Sequence, residues 1–140
     1  MVFVDASALV KRYVRERHSA MVRRLLAAGP VAVSRLSEVE VPSALARLVR
    51  EGRLSARRRD GALAAFVTDF GAWHVVELTS DVTTLARRQL ARYELRTGDA
   101  IQLASALWLR QTLGDSLTSL VAFDTRLAAA AAAEQFQAPR

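Results

Sequence analysis

Apolar residues along the chain follow two alternating patterns: short continuous runs, and longer stretches at helical spacing. Residues 2–4, 31–33, the β-branched segment 74–78 and residues 117–123 read as buried strands. After the first run, Asp5-Ala6-Ser7 offers capping residues, and Leu9, Val10, Tyr13 and Val14 continue at helical spacing. Residues 19–28 place Met21, Val22, Leu25 and Leu26 on one face and Arg23-Arg24 on the other, until Gly29-Pro30 stops the helix. Pro42 is tolerated in the first turn of a helix, so the next one is expected to begin near Ser37 and end at about Arg50, ahead of Gly52. Further helices are expected over 55–70, from Ser80 or Asp81 through Leu90, from Thr97 through Leu107, and from Asp124 through the alanine run at 128–133. Strands that alternate with helices, each strand continuously apolar, predict an α/β fold: a parallel sheet covered on both faces. No internal repeat or linker composition interrupts the pattern, which predicts one domain over residues 1–140. For the tail after about residue 134, a short edge strand and disorder are both open.

Composition narrows the chemistry. The 140 residues include no cysteine and two histidines, which excludes disulfides and Cys-based zinc sites and leaves oxygen as the available metal ligand. An apolar fraction of 51% is that of a globular chain. Asp5 interrupts the N-terminal apolar run, and no stretch is long and apolar enough to span a bilayer, so a cytoplasmic protein without membrane contact is expected. The net charge is +6, and Lys11 is the single lysine among 20 basic residues. An arginine bias follows equally from genome composition and from anionic partners such as nucleic acid.

The acids are more informative. In an open parallel sheet, ligands bind beyond the carboxyl ends of the strands. Asp5 ends the first expected strand, Asp124 the fourth, and Glu40 lies just past the second, while Asp99 opens a long helix. Carboxylates gathered in one crevice repel and take up protons unless a cation sits among them, and with oxygen ligands alone the natural cation is Mg²⁺ or Mn²⁺. Such a site suits phosphodiester hydrolysis. Aspartate is equally a favoured helix cap, so each of Asp5, Asp99 and Asp124 has a purely structural reading as well. Ser7 and Thr97 are alternative caps, and Glu38 competes with Glu40.

At these residues the sequence resembles the PIN domains, and within them the VapC-type toxins. Met1-Val2-Phe3-Val4-Asp5-Ala6-Ser7 is similar to the family's opening block, and Ser34 six positions before Glu40 matches the second and selects Glu40 over Glu38. Thr97-Gly98-Asp99-Ala100 resembles the third block and Ala122-Phe123-Asp124 the fourth, where the family often has Thr in place of Ala122. The four blocks occur in order over nearly the whole chain. The resemblance implies a three-layer α/β/α sandwich around a parallel sheet of four to five strands. It also implies an Mg²⁺- or Mn²⁺-dependent endoribonuclease, with Asp5, Glu40, Asp99 and Asp124 as catalytic and metal-binding residues, RNA as substrate, a homodimer, and a cognate VapB-type antitoxin whose segment enters the acidic groove. A catalytically silent binding module on the same fold is the alternative; a haloacid-dehalogenase-like phosphatase would require Asp where Ser7 stands. Arg57-Arg58-Arg59, Lys11 and Arg12 are candidate phosphate contacts or solvated charges.

Overall fold

Runs of three or four apolar, mostly β-branched residues are enough for strands when both faces are buried. The computed structural model describes residues 1–117 and 119–139; Thr118, inside the fourth expected strand, and Arg140, at the end of the tail, lie outside the described residues. Among the described residues, β1 (Val2–Val4), β2 (Val31–Ser34), β3 (His74–Val76) and β4 (Ser119–Val121) form one parallel sheet in the order β3-β2-β1-β4. The helices are α1 (Ala6–Tyr13), α2 (Ser19–Ala27), α3 (Ser37–Arg50), α4 (Ala56–Ala72), α5 (Ser80–Arg92), α6 (Thr97–Leu113) and α7 (Thr125–Ala133). None is long and apolar enough to cross a membrane.

The period-2 alternation of the strands builds the two cores. Phe3, Ala32, Val76 and Leu120 face α5, α6 and α7, where Leu103, Leu109 and Leu127 are fully buried. Val4, Val33 and Val121 face the other way, onto Leu9 of α1, Leu45 of α3 and Phe66 of α4. The result is an α/β/α sandwich, as expected from the alternation of elements.

Several boundaries differ from the pattern-based expectation. The third and fourth strands stop at Val76 and Val121, because β2 turns into α3 after Ser34 and β1 into α1 after Val4, which removes their pairing partners. Helix α5 is capped by Thr79 rather than by Ser80 or Asp81, its hydroxyl accepting from Val82 N at 3.4 Å. Pro42 stands beyond the first turn of α3, so the Glu38 carbonyl loses its intrahelical donor. The tail supplies only an isolated parallel bridge between Gln137 and Ser119; it is fastened instead by Phe136, which is 5% exposed and has Arg110 4.1 Å above its ring.

Candidate active site

The chain leaves β1 for β2 and β3 on one side and returns to β4 on the other, so the β1–β4 boundary is the topological switch point. Asp5 and Asp124 both follow strands at this boundary. Asp5 N donates to Val121 O at 3.1 Å, continuing the ladder one residue past β1. The Asp5 carboxylate then caps α1, accepting from Ala8 N at 3.0 Å, and receives the Ser7 hydroxyl at 2.9 Å from either oxygen. Ser7 thus serves Asp5 instead of capping the helix, and its Oγ also accepts from Phe123 N at 3.4 Å. Asp124 caps α7 through Arg126 N and Leu127 N, both at 3.0 Å. Asp99 caps nothing: it sits in the first turn of α6, whose N-cap position is held by Arg96, and Thr97 does not cap either. Ser7 therefore does not relieve Asp5 of capping, whereas Asp99 is free of that job, and Asp124 both caps a helix and lines the crevice.

A cavity of about 410 Å³ opens here, lined among others by Ser7, Glu40, Arg47, Arg96, Asp99 and Asp124. Asp5, 3% exposed, lies beneath Ser7. Glu38 points elsewhere and pairs with Arg35 at 2.9 Å. Burial pushes the Asp5 carboxyl up to about 7, opposed by the bonds from Ala8 and Ser7 and reinforced by Glu40. Burial also raises Glu40, with Asp99 adding to it, and raises Asp99, with Asp124 adding to that. Each acid thus feels the next in a chain from Asp5 to Asp124. Four carboxylates in mutual repulsion, offering oxygen alone, fit a hard divalent cation in charge and donor type. Among the described residues, no three acids or histidines already surround a common point; the fit is one of chemistry.

Other candidates are resolved by their contacts. Lys11 pairs with Glu16 at 3.1 Å and lies 4.9 Å over the Phe123 ring, at the edge of the crevice. Arg12 is committed to Asp69 at 2.6 Å, between α1 and α4. Arg59 of the triple arginine pairs with its neighbour Asp60, far from the acids in sequence. Sequence reasoning missed Arg47, which lies seven residues, two turns, beyond Glu40 on the same face of α3. It also missed Gln102, three residues after Asp99 and 1% exposed, whose signal was a lone amide on an otherwise apolar helix face. Gly98 was quoted only as part of a motif; a Cβ there would stand 2.7 Å from Glu40 Oε1.

A parallel α/β/α sandwich with acids converging at its switch point defines a class of proteins, and the chain belongs to the PIN domain family, whose model matches residues 2–133. Within that family its relatives are of the VapC type. It is 37% identical to Ribonuclease VapC46 of Mycobacterium tuberculosis, over 93% of this chain and 89% of the relative. Among solved structures it resembles M. tuberculosis VapC20, described as a sarcin-ricin loop cleaving toxin, with a TM-score of 0.68, 24% identity and coverage of 93% and 95% of the two chains. It also resembles a chain of a toxin–antitoxin complex from Klebsiella pneumoniae, with a TM-score of 0.59, 20% identity and coverage of 90% and 88%.

Proposed function

We propose that the protein is a divalent-cation-dependent endoribonuclease acting as the toxin of a toxin–antitoxin pair. The observation that carries the reading is that Glu40, Asp99 and Asp124 line one crevice, with Asp5 buried behind its bond from Ser7, in a chain whose curated relatives are VapC ribonucleases. Asp5, Glu40 and Asp99 would hold Mg²⁺ or Mn²⁺, with Asp124 completing the ligand set or orienting a neighbour. When bound, such an ion lowers the pKa of a water and offsets negative charge developing on phosphorus. The chain's own groups do the rest. Ser7 fixes the Asp5 carboxylate through its hydroxyl. Arg47 and Arg96 line the cavity and would attract the phosphodiester, and one of the three cation-holding acids would also orient the attacking water.

The substrate groove extends past the acids. A second cavity of about 400 Å³, walled by the Lys11–Glu16 and Arg53–Glu51 pairs and by Phe123, shares Ser7, Ala44, Arg47 and Asp124 with the first. Arg47 forms no ion pair among the described residues. It stands between the two cavities, free to bind a backbone phosphate of single-stranded RNA. The antitoxin would inhibit by placing a segment over the same groove.

The test is cleavage of total RNA by the purified protein. Fragments should form with Mg²⁺ and not with EDTA, and Asp5→Asn should abolish them by at least a hundredfold while the circular dichroism spectrum is retained. Equal cleavage with EDTA, or by a folded Asp5→Asn protein, refutes the reading.

A further inference from the structure

We propose that Gln102 and Gly98 are positioning residues that hold the Glu40 carboxylate in the acidic crevice against the repulsion of Asp99. The role assigned to Glu40 rests on the hydrolase reading; the holding itself is a matter of packing and is testable without it.

Among the described residues, Glu40 has no cation among its partners. One carboxylate oxygen, Oε2, receives the Gln102 amide at 3.5 Å, and the same Nε2 donates to Ser37 Oγ at 3.1 Å. Gln102 is 1% exposed and Ser37 is fully buried, so the amide is anchored inside the α3–α6 contact. The other oxygen, Oε1, lies over Gly98 so closely that an added Cβ would meet it at 2.7 Å, a separation real Cβ atoms do not reach. Gly98 has no positive φ, so a side chain here would be opposed by the Glu40 carboxylate alone, which would have to move aside. Glu40 is therefore gripped on two sides by one helix, the same helix whose first turn carries Asp99. Left free, two like charges would part and the longer glutamate side chain would turn to solvent.

The polar seam also carries a penalty. Gln102 Oε1 is buried without a partner, and a buried amide half satisfied is less favourable than an apolar side chain of the same volume. A residue kept for packing alone would give the opposite balance. A positioning role thus predicts that stability and activity respond in opposite directions, whereas a structural role predicts that they fall together.

The experiment compares the full chain with Gln102→Met, which conserves volume, and with Gly98→Ala, which adds one methyl against Glu40 and otherwise meets only Leu36 at 4.0 Å. Gln102→Met should melt at or above the wild-type temperature. It should bind Mn²⁺, followed by electron paramagnetic resonance of the free ion, about tenfold more weakly, as expected for removal of a group that supports a ligand. Its kcat on RNA should fall to a similar degree with KM unchanged, and in a Glu40→Gln background the substitution should change nothing further. A Gln102→Met protein that binds Mn²⁺ like the wild type, or that loses as much in the Glu40→Gln background, overturns the proposal. If Gln102→Met melts lower, Gly98→Ala decides: loss of Mn²⁺ binding at wild-type melting temperature supports the proposal, and wild-type binding overturns it. The Glu40 carboxyl ¹³C resonance of the cation-free protein, assigned by its disappearance in Glu40→Gln, is the readout that is independent of catalysis. It should move in both variants; an unmoved resonance refutes the positioning even if the wild type neither binds Mn²⁺ nor cuts RNA, an outcome that by itself would refute only the hydrolase reading.

Discussion

Asp5, 3% exposed, accepts from Ala8 N and from Ser7 while its burial lifts its pKa to about 7. Because that value lies above the ordinary 3.8, the folded chain keeps a proton that the unfolded chain releases between those limits. The stabilisation is thus fully present below pH 3.8 and is lost as pH rises through about 7. Glu40 and Asp99, both raised, act with the same sign. In cation-free buffer, Asp5→Asn is expected to flatten this decline and to resist urea better than the wild type at pH 8. Unfolding curves that coincide at pH 5 and at pH 8 would contradict it. The sequence pointed to four acids and to Glu40 over Glu38, and the structure puts Glu40, Asp99 and Asp124 on one cavity while Glu38 pairs with Arg35. Gln102 and Gly98 were not, because their meaning lies in distances from Glu40, 62 and 58 positions away along the chain.

At the scale of elements, the hydrophobic pattern located the four strands and seven α-helices among the described residues, with β1 and α3 correctly bounded, but misjudged several other ends. Strand length was set by where the partner strand turned away, which the pattern of one segment does not contain. Capping was misjudged for a related reason: a side chain can cap a helix and face a crevice at once when the helix starts at the crevice. The α1–α4 contact shows what long-range pairing adds. Asp69 of α4 takes both Arg12 nitrogens, at 2.6 and 3.2 Å, and the Tyr13 hydroxyl at 2.7 Å. Burial raises the Asp69 carboxyl, but the bonds from Arg12 and Tyr13 outweigh it and hold it below the usual range. Asp69→Asn should lower stability by about 1–2 kcal/mol, allowing for the partial exposure of the pair, with RNA cleavage unchanged. Chemical denaturation alongside a cleavage assay checks both halves. The bond network ties the N-terminal helix α1 to the long helix α4, away from the acidic crevice.

Over the whole molecule, a net charge of +6 coexists with a crevice of like-charged acids. Under the proposed function the two are compatible: the arginines would attract phosphate from a distance while a bound cation would neutralise the acids locally. Binding of a short single-stranded RNA to the Asp5→Asn protein should weaken with salt, the logarithm of the constant falling linearly with that of ionic strength. Adding Arg47→Ala should reduce the slope by about 0.7, one phosphate contact on a single strand. A slope unchanged in fluorescence anisotropy titrations would remove Arg47 from the groove. The C-terminal segment belongs to this scale too. Phe136 closes the core formed with α6 and α7, and Phe136→Ala should cost about 3–5 kcal/mol in thermal or urea unfolding.

What the sequence determined by itself was local: which segments are strands, which are helices, that the sheet is parallel, and that no cysteine is available as a ligand. Those follow from periodicity and composition, which act over a few residues and need no partner. The tertiary structure alone decided that Glu40 rests on Gly98 under the Gln102 amide, and that Arg12 is spent on Asp69. Each of these depends on atoms brought within about 3 Å by the packing of separate elements, and contact energies at that range are set by geometry that no spacing along the chain records.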